Sequence, residues 1–500
     1  MTELAAAETI KHDNFSQIAT NAALWLGLAQ VTRICVTFFS TIVVARLIGP
    51  DQFGIVAMAT PVLALLYLLQ DFGLATGAIT ARSLSNEQSS ALFWLNTAIG
   101  VMVALLIVVT APLIGRFYGE ARVGTALMLN AGALVISAAG IQHSAVLSRQ
   151  MRFARQGQAE MANWLITFVA TVGLSLFDHS YQPLVLGPMV GMLAQTAVVW
   201  RFSGLQPGRP NFAASRDFLR VGKHLTGFAL LNYLVRNVDN ILIGRYWGPA
   251  PAGLYDRSYR LMMMPLQNIN GPVLRVLEPM MAALRDDPGR YRNSFTYSAF
   301  GVMLANGPGV LVATAFSWRM MPWLLGERWI DAGAIFFWLG LAGLLQPVAN
   351  LTSVLFITTS RTGQMVRWGA FSAVVTLAGF AIGIRWGAIG ISQAFFATLA
   401  LRQPLLFAWS TRDTPIAART LWSAQLLPLI GPALVIVLAF QLPGKVPFLA
   451  LFLGTVALAY PAAIATACIS PSGRATVGRI GKQLASRLRA PGLRRRSNAG

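Results

Sequence analysis

Runs of roughly 20 mostly apolar residues recur from Asn21 to Ser470, the length an α-helix needs to cross a bilayer core. In lipid a chain must satisfy its backbone internally, and for runs of this length the solution is a helix that closes its own hydrogen bonds. Charge agrees with this reading. Only 11% of the 500 residues are Asp, Glu, Lys or Arg, and 55% are hydrophobic, whereas soluble domains are about a quarter charged. The sequence therefore specifies an all-α integral membrane protein. Hydropathy predicts about 14 spans. They lie near 23–46, 54–79, 91–113, 124–146, 160–177, 183–200, 225–247, 254–283, 295–317, 332–358, 364–384, 388–409, 419–441 and 446–468.

The net charge is +21. In a soluble protein this would suggest nucleic acid; here its placement reads as topology, and no nucleic-acid partner is expected. With the N-terminus in the cytosol, the arginine-rich segments LSRQMRFARQ (147–156), RFSGLQPGRPNFAASRDFLRVGK (201–223), RDDPGRYR (285–292) and the tail after Ser470 share one side, as the positive-inside rule requires. The expectation is a multi-pass protein of the inner (plasma) membrane with both termini cytosolic. The first twenty residues are polar and lack a signal-peptide pattern, so the first span is expected to act as its own insertion signal. Cys35 and Cys468 lie in apolar spans and read as packing residues.

The segment 201–223 contains SGLQPGRP, with the Pro and Gly of a linker. It divides an N-lobe of six spans (1–200) from a C-lobe of six (224–412), followed by an extra helix pair (413–470) and a basic cytosolic tail (471–500). A repeat supports the division. ARLIGPDQFG begins at Ala45 and GRYWGPAPAG at Gly244; at a constant offset of 199, Arg46 matches Arg245, Gly49 Gly248, Pro50 Pro249 and Gly54 Gly253. Each copy closes the first span of its half, which marks a parallel repeat of the kind transporters use.

The same offset superposes two polar stripes. Arg33, Thr37, Ser40 and Thr41 share a helical face in the first span, and Asn232, Arg236, Asp239 and Asn240 do so in the seventh. Packed face to face, the halves would line one central cavity with them. An ionised side chain at the bilayer centre costs roughly 2.5–3.5 kcal/mol and normally faces a bundle interior or water. The charges within spans are Arg33, Asp71, Arg236, Asp239, Arg260, Arg275, Glu278 and Arg402. Arg236 and Asp239 read equally as a structural i, i+3 ion pair or as a basic site for an anion, tuned by the acid. In the eighth span Arg260, Gln267, Gly271, Arg275 and Glu278 fall near one stripe, and Pro265, Gly271 and Pro272 are expected to interrupt the helix. The alternative is a long helix whose charged ends leave the membrane. Asp71 either caps the following segment or titrates. Asp71, Asp239 and Glu278 are the acids available to couple transport to protons or sodium. In the tail, Val477, Ile480, Leu484 and Leu488 share a face with basic residues around them, which reads as an interfacial helix or a solvated anchor.

No Walker A, HExxH, CxxC or GxSxG motif occurs, and the four histidines are scattered. The reading is of a non-enzyme without metal or cofactor. LLQDFGLATGAITARSLSNEQSSALFWLN (68–96), VLSRQMRFAR (146–155) and NVDNILIGRYWGPAPAGLYDRSYRLMMMPLQNINGPVLRVLEPMMAALRDD (237–287) resemble the polysaccharide-transport exporters of the MOP (multidrug/oligosaccharidyl-lipid/polysaccharide) superfamily. That resemblance implies two six-helix lobes around a cavity that opens alternately to each side. It implies a lipid-linked oligosaccharide, a glycan repeat unit on undecaprenyl diphosphate, moved between leaflets. The substrate-binding residues would be Arg33, Thr37, Ser40, Asn232, Arg236, Asp239, Asn240, Arg260, Gln267 and Arg275. Membrane lipids, a glycan polymerase and export machinery are the expected partners. A lipid II flippase, a drug/cation antiporter, an integral glycan polymerase and a noncatalytic scaffold are the competing readings.

Overall fold

A computed structural model describes residues 30, 32–71, 74–80, 84–209, 237–442 and 446–489. All regular structure among them is helical. The chain packs as two compact units. One holds the described residues through Asp256 together with Leu324–Arg328; the other holds Arg257–Trp323 and the described residues from Trp329 onward.

The first unit begins with α1 (residues 32–47), then α2 (Pro50–Asp71), α3 (Leu74–Thr80), α4 (Asn86–Tyr118), α5 (Ala121–Arg149), α6 (Phe153–Ser175), α7 (Gln182–Ser203) and α8 (Val238–Trp247). Local chemistry sets these ends. Ser85 opens α4 with a reciprocal cap: its hydroxyl accepts from the Gln88 N–H at 3.1 Å while Gln88 Oε1 accepts from the Ser85 N–H at 3.0 Å. Gly119 then closes α4 in the left-handed region at φ 69°, and Glu120 caps α5 by accepting from the Arg122 N–H. The α4–α5 hairpin packs closely enough that a Cβ on Gly100 would collide with Ala138. Small residues at such crossings are how helices approach where lipid supplies no hydrophobic drive.

α9 (Pro249–Ala283) opens in the first unit and continues into the second. There follow α10 (Pro288–Ala315), α11 (Ser317–Leu325), α12 (Ala332–Thr358), α13 (Thr362–Gly383), α14 (Gly387–Thr411), α15 (Ala418–Phe440), α16 (Phe448–Ala467) and α17 (Pro471–Arg489). The core of the second unit gathers Phe295, Phe300 and Met303 of α10, Leu351 and Leu355 of α12, Phe407 of α14 and Leu421 of α15. α15 and α16 dock on α10: Phe316 stacks on Phe440 at 4.9 Å and meets Phe452 edge-on. Arg479 of α17 lies over the Tyr297 ring at 4.5 Å, and Val477 packs on the core while Ile480 is exposed. The side chains of Leu484 and Leu488 lie outside the described residues.

Nine stretches among the described residues are long and apolar enough to cross a membrane, and one of them, 362–411, holds both α13 and α14. The protein is a multi-pass membrane protein. One expectation is corrected. α9 is continuous for 35 residues through Pro265, Pro272 and Pro279. Neither Pro265 nor the Gly271-Pro272 pair interrupts it. The three prolines are spaced by seven, so their missing N–H groups fall on one side of the helix, and the other side keeps its ladder.

Candidate substrate site

The two repeated turns touch. A Cβ on Gly54 would strike the backbone of Pro249, and a Cβ on Gly253 the backbone of Pro50. These are reciprocal partners at the offset of 199 seen in the sequence. Each proline starts a helix, α2 and α9, where its fixed φ suits the first turn and its missing N–H costs nothing. Gly248 takes φ 81°, which favours glycine. The matched arginines differ in use. Arg46 Nε donates to the Leu324 carbonyl at 3.1 Å, and Arg245 lies 5.6 Å from the Phe117 ring centre.

On α1 the stripe residues are accessible: Thr37 is exposed, and Arg33, Ser40 and Thr41 are half-buried. Thr41 Oγ1 donates back to the Thr37 carbonyl at 2.7 Å. Arg33 lies within electrostatic reach of Glu160 on α6, an acid that hydropathy placed at the edge of the fifth span. Glu160 opens a polar ladder, Glu160–Asn163–Thr167–Thr171, at spacings of three and four. Asn163 donates to Gln195 of α7 at 2.6 Å and accepts from Thr167. The helical spacing was there to be read, but the neighbouring Met, Trp, Leu and Phe outweighed it in a hydropathy sum.

On α8, Asp239 is buried at 5% exposure. Its Oδ2 accepts from the Tyr255 hydroxyl at 2.8 Å and its Oδ1 from the Asn240 N–H at 2.8 Å. Asn240 Oδ1 is buried without a hydrogen-bond partner among the described residues. Asn232 and Arg236 lie outside the described residues. Asp71 is the last described residue of α2; its side chain and residues 72–73 lie outside the description.

In the second unit, α9 has two faces. Met262, Leu266, Asn270, Leu277 and Met281 are buried, and Asn270 donates to the Pro347 carbonyl at 3.0 Å and accepts from Asn306. On the other face Arg260, Gln267, Arg275 and Glu278 are all exposed, with Gly271 half-buried between them. The structure thus brings these four onto one open stripe. Arg402 of α14 is half-buried and donates from Nη1 to the Ser372 carbonyl and to Thr376 Oγ1 on α13, at 2.8 and 2.6 Å. A separate cavity of 480 Å³ at the α4–α5 tip, lined by Pro112, Arg116, Glu120 and Met128 among others, contains none of the candidate residues.

The family model described as "Polysaccharide biosynthesis protein" matches residues 43–334. The lipopolysaccharide biosynthesis protein WzxC of Escherichia coli (strain K12) is 28% identical over 396 residues, covering 78% of each chain. The succinoglycan biosynthesis transport protein ExoT of Rhizobium meliloti (strain 1021) is 24% identical over 368 residues, covering 73% of each. Among solved structures, the lipid II flippase MurJ in an inward closed conformation superposes with a TM-score of 0.72 at 10% identity, over 90% of this chain and 98% of that one. An inward-facing multidrug resistance MATE family transporter of the MOP superfamily superposes at 0.56 and 15% identity, over 80% and 99%. At these identities the structural likenesses bear on the fold alone.

Proposed function

Because the chain belongs to the polysaccharide biosynthesis protein family matched over 43–334, we propose that it is a flippase for undecaprenyl-diphosphate-linked oligosaccharide repeat units. It works by alternating access across the inner membrane, with both termini in the cytosol. The observation that carries the reading is the open stripe Arg260–Gln267–Arg275 on α9. Facing acyl chains, the two guanidinium groups would each cost roughly 2.5–3.5 kcal/mol; facing a wet path, all three groups suit an anionic, sugar-bearing headgroup. Guanidinium donors form a fork that fits phosphate oxygens, and the glutamine amide both donates and accepts, as sugar hydroxyls require. Arg33, Thr37 and Ser40 of α1 extend the same chemistry, and Asn232, Arg236 and Asn240 complete the set as the seventh span's counterpart.

In this proposal the halves 1–200 and 224–412 act as the repeats, 201–223 as their linker, 413–470 as an added pair beside the polyprenyl tail, and 471–500 as a basic membrane-surface segment. Coupling to protons or sodium is assigned first to Glu278, whose carboxylate is exposed. Asp239 ranks behind it because both its oxygens are engaged. A glycan polymerase and export machinery would receive the product.

The test is analysis of lipid-linked intermediates in a deletion strain complemented with wild type, Arg260→Ala or Arg275→Ala at matched membrane levels. The expected result is undecaprenyl-linked repeat units held on the cytosolic side without the protein, and export reduced at least tenfold by either variant. Normal export from the deletion strain would refute the flippase reading, and efficient translocation with failed chain growth would favour a polymerase.

A further inference from the structure

From Ala332 to Gly500 the sequence holds fifteen Lys and Arg and a single acid, Asp413. Within this stretch, carbonyls and hydroxyls far outnumber carboxylates as partners for its arginines. Arg361 shows the protein-only solution. Its Nε donates to Thr359 Oγ1 at 2.8 Å, and its Nη1 and Nη2 to the Trp409 and Ser410 carbonyls at 3.4 and 2.8 Å, so all three nitrogens are used at the end of α14. Arg402 is different. Only Nη1 is engaged, by Ser372 and Thr376. No carboxylate among the described residues pairs with it, and Nε and Nη2 are not sealed in the interior.

Depth sharpens the contrast. α13 has 22 residues, about 33 Å at 1.5 Å per residue, so Ser372 and Thr376 lie near its middle. Arg402 is held there instead of reaching for the headgroup region as arginines near helix ends do. A guanidinium at mid-depth with open donors is costly against hydrocarbon. It is well placed against an anion.

Register shows what shares its level. Trp338 meets Phe396 at 5.9 Å and Leu345 accepts from Gln403 at 3.2 Å, so α12 and α14 run parallel at a fixed offset of 58 residues. Asn270 reaches Pro347, which fixes α9 against α12, and Tyr259 of α9 meets Phe395 of α14 at 6.1 Å. Following both helices onward from that ring contact places Gln267 level with Arg402, and Phe395 and Arg402 lie seven residues apart on one face of α14.

We propose that Arg402, oriented by Ser372 and Thr376 and accompanied at its depth by Gln267, is a phosphate-binding station for a prenyl-linked diphosphate at the mid-depth of the second unit. The station rests on the flippase reading for its substrate. It adds a binding residue, tethered on α13–α14, that belongs to neither polar stripe. Nη1 is spent on orientation; Nε and Nη2 provide the fork for the phosphate.

The experiment uses the purified full chain in phosphatidylcholine nanodiscs, titrated with farnesyl diphosphate, inorganic pyrophosphate or farnesol and read by thermal shift and tryptophan fluorescence. Parallel nanodiscs contain phosphatidylglycerol. Arg402→Gln is expected to weaken farnesyl diphosphate and pyrophosphate binding at least tenfold, about the loss of one charged hydrogen bond, with farnesol unchanged. Arg402→Lys should fall between, and Thr376→Val, which keeps the charge and removes a tether, should lose severalfold. Wild-type diphosphate affinity in both Arg402→Gln and Arg402→Leu overturns the proposal. So does a melting temperature without ligand that collapses in Arg402→Gln and recovers in Arg402→Lys with diphosphate binding unaltered, which makes the arginine a strut. Stabilisation by phosphatidylglycerol alone, lost in Arg402→Gln, assigns the site to bulk lipid headgroups and overturns the substrate. Export is scored separately: normal export in the deletion strain refutes the flippase reading and leaves the binding result standing.

Discussion

Asp239 shows what one side chain can and cannot reveal in sequence. Its place in an apolar segment announced an expensive group. Its partner could not be read there, because Tyr255 stands sixteen residues on, beyond a glycine turn. Removing that hydroxyl leaves a buried oxygen short of a donor, so Tyr255→Phe should cost about 1–3 kcal/mol, visible as a lower melting temperature of the purified protein. Glu120 sits outside the spans, at the α4–α5 connection. Arg122 Nε and Nη2 donate to its two oxygens at 2.8 and 2.7 Å, and these bonds hold its carboxyl below the ordinary carboxylate range. A lowered folded-state pKa stabilises above the unfolded value and stops doing so as pH falls through the folded value. Melting temperature followed from pH 7 downward should therefore show an extra loss below the ordinary carboxylate pKa in wild type that Glu120→Gln lacks. The effect should be small, since the Arg122 side chain is 45% exposed and water screens the pair. Glu160 is the converse case. Its tie to Arg33 was hidden because hydropathy averages a window, and one acid at the edge of the fifth span is outweighed by the apolar residues after it.

Helices were the most legible elements, since length and apolarity alone decide them in lipid. Proline was misread in α9. The rule that proline ends a helix holds for an isolated turn in water, where the freed carbonyl has competing partners. Here three prolines at a seven-residue spacing concentrate the lost bonds on one side. Crossing geometry was not legible, because sequence does not say which glycine meets which neighbour. At the α4–α5 crossing, Gly100 faces the Ala138 methyl, with other atoms at 3.5 Å or beyond. Gly100→Ala should lower stability by about 1–3 kcal/mol through overpacking. The swap Gly100→Ala with Ala138→Gly should restore most of it, since it moves the methyl from one helix to the other. Detergent-extracted protein analysed by size-exclusion chromatography after heating would show both effects, and failure of the swap would mean the crossing is not set by that methyl.

At the scale of the molecule, the duplicated turn was a modest signal of four identities in ten, and its outcome is a physical contact: Gly54 on Pro249 and Gly253 on Pro50. The offset of 199 showed that the copies correspond. It could not show that they meet, because a repeat fixes equivalence and leaves docking to the third dimension. Reciprocity gives a prediction with an internal control. Gly54→Ala and Gly253→Ala each push a methyl into backbone, so the two variants should lower melting temperature to a similar degree and impair export alike. A large difference between them would show that the contact is unequal in solution. Neither backbone obstacle can be trimmed by changing a neighbouring side chain, so no second-site substitution can make room. Each turn therefore sets a residue without a Cβ against main chain of the other turn, a contact in which only the backbone itself could give way.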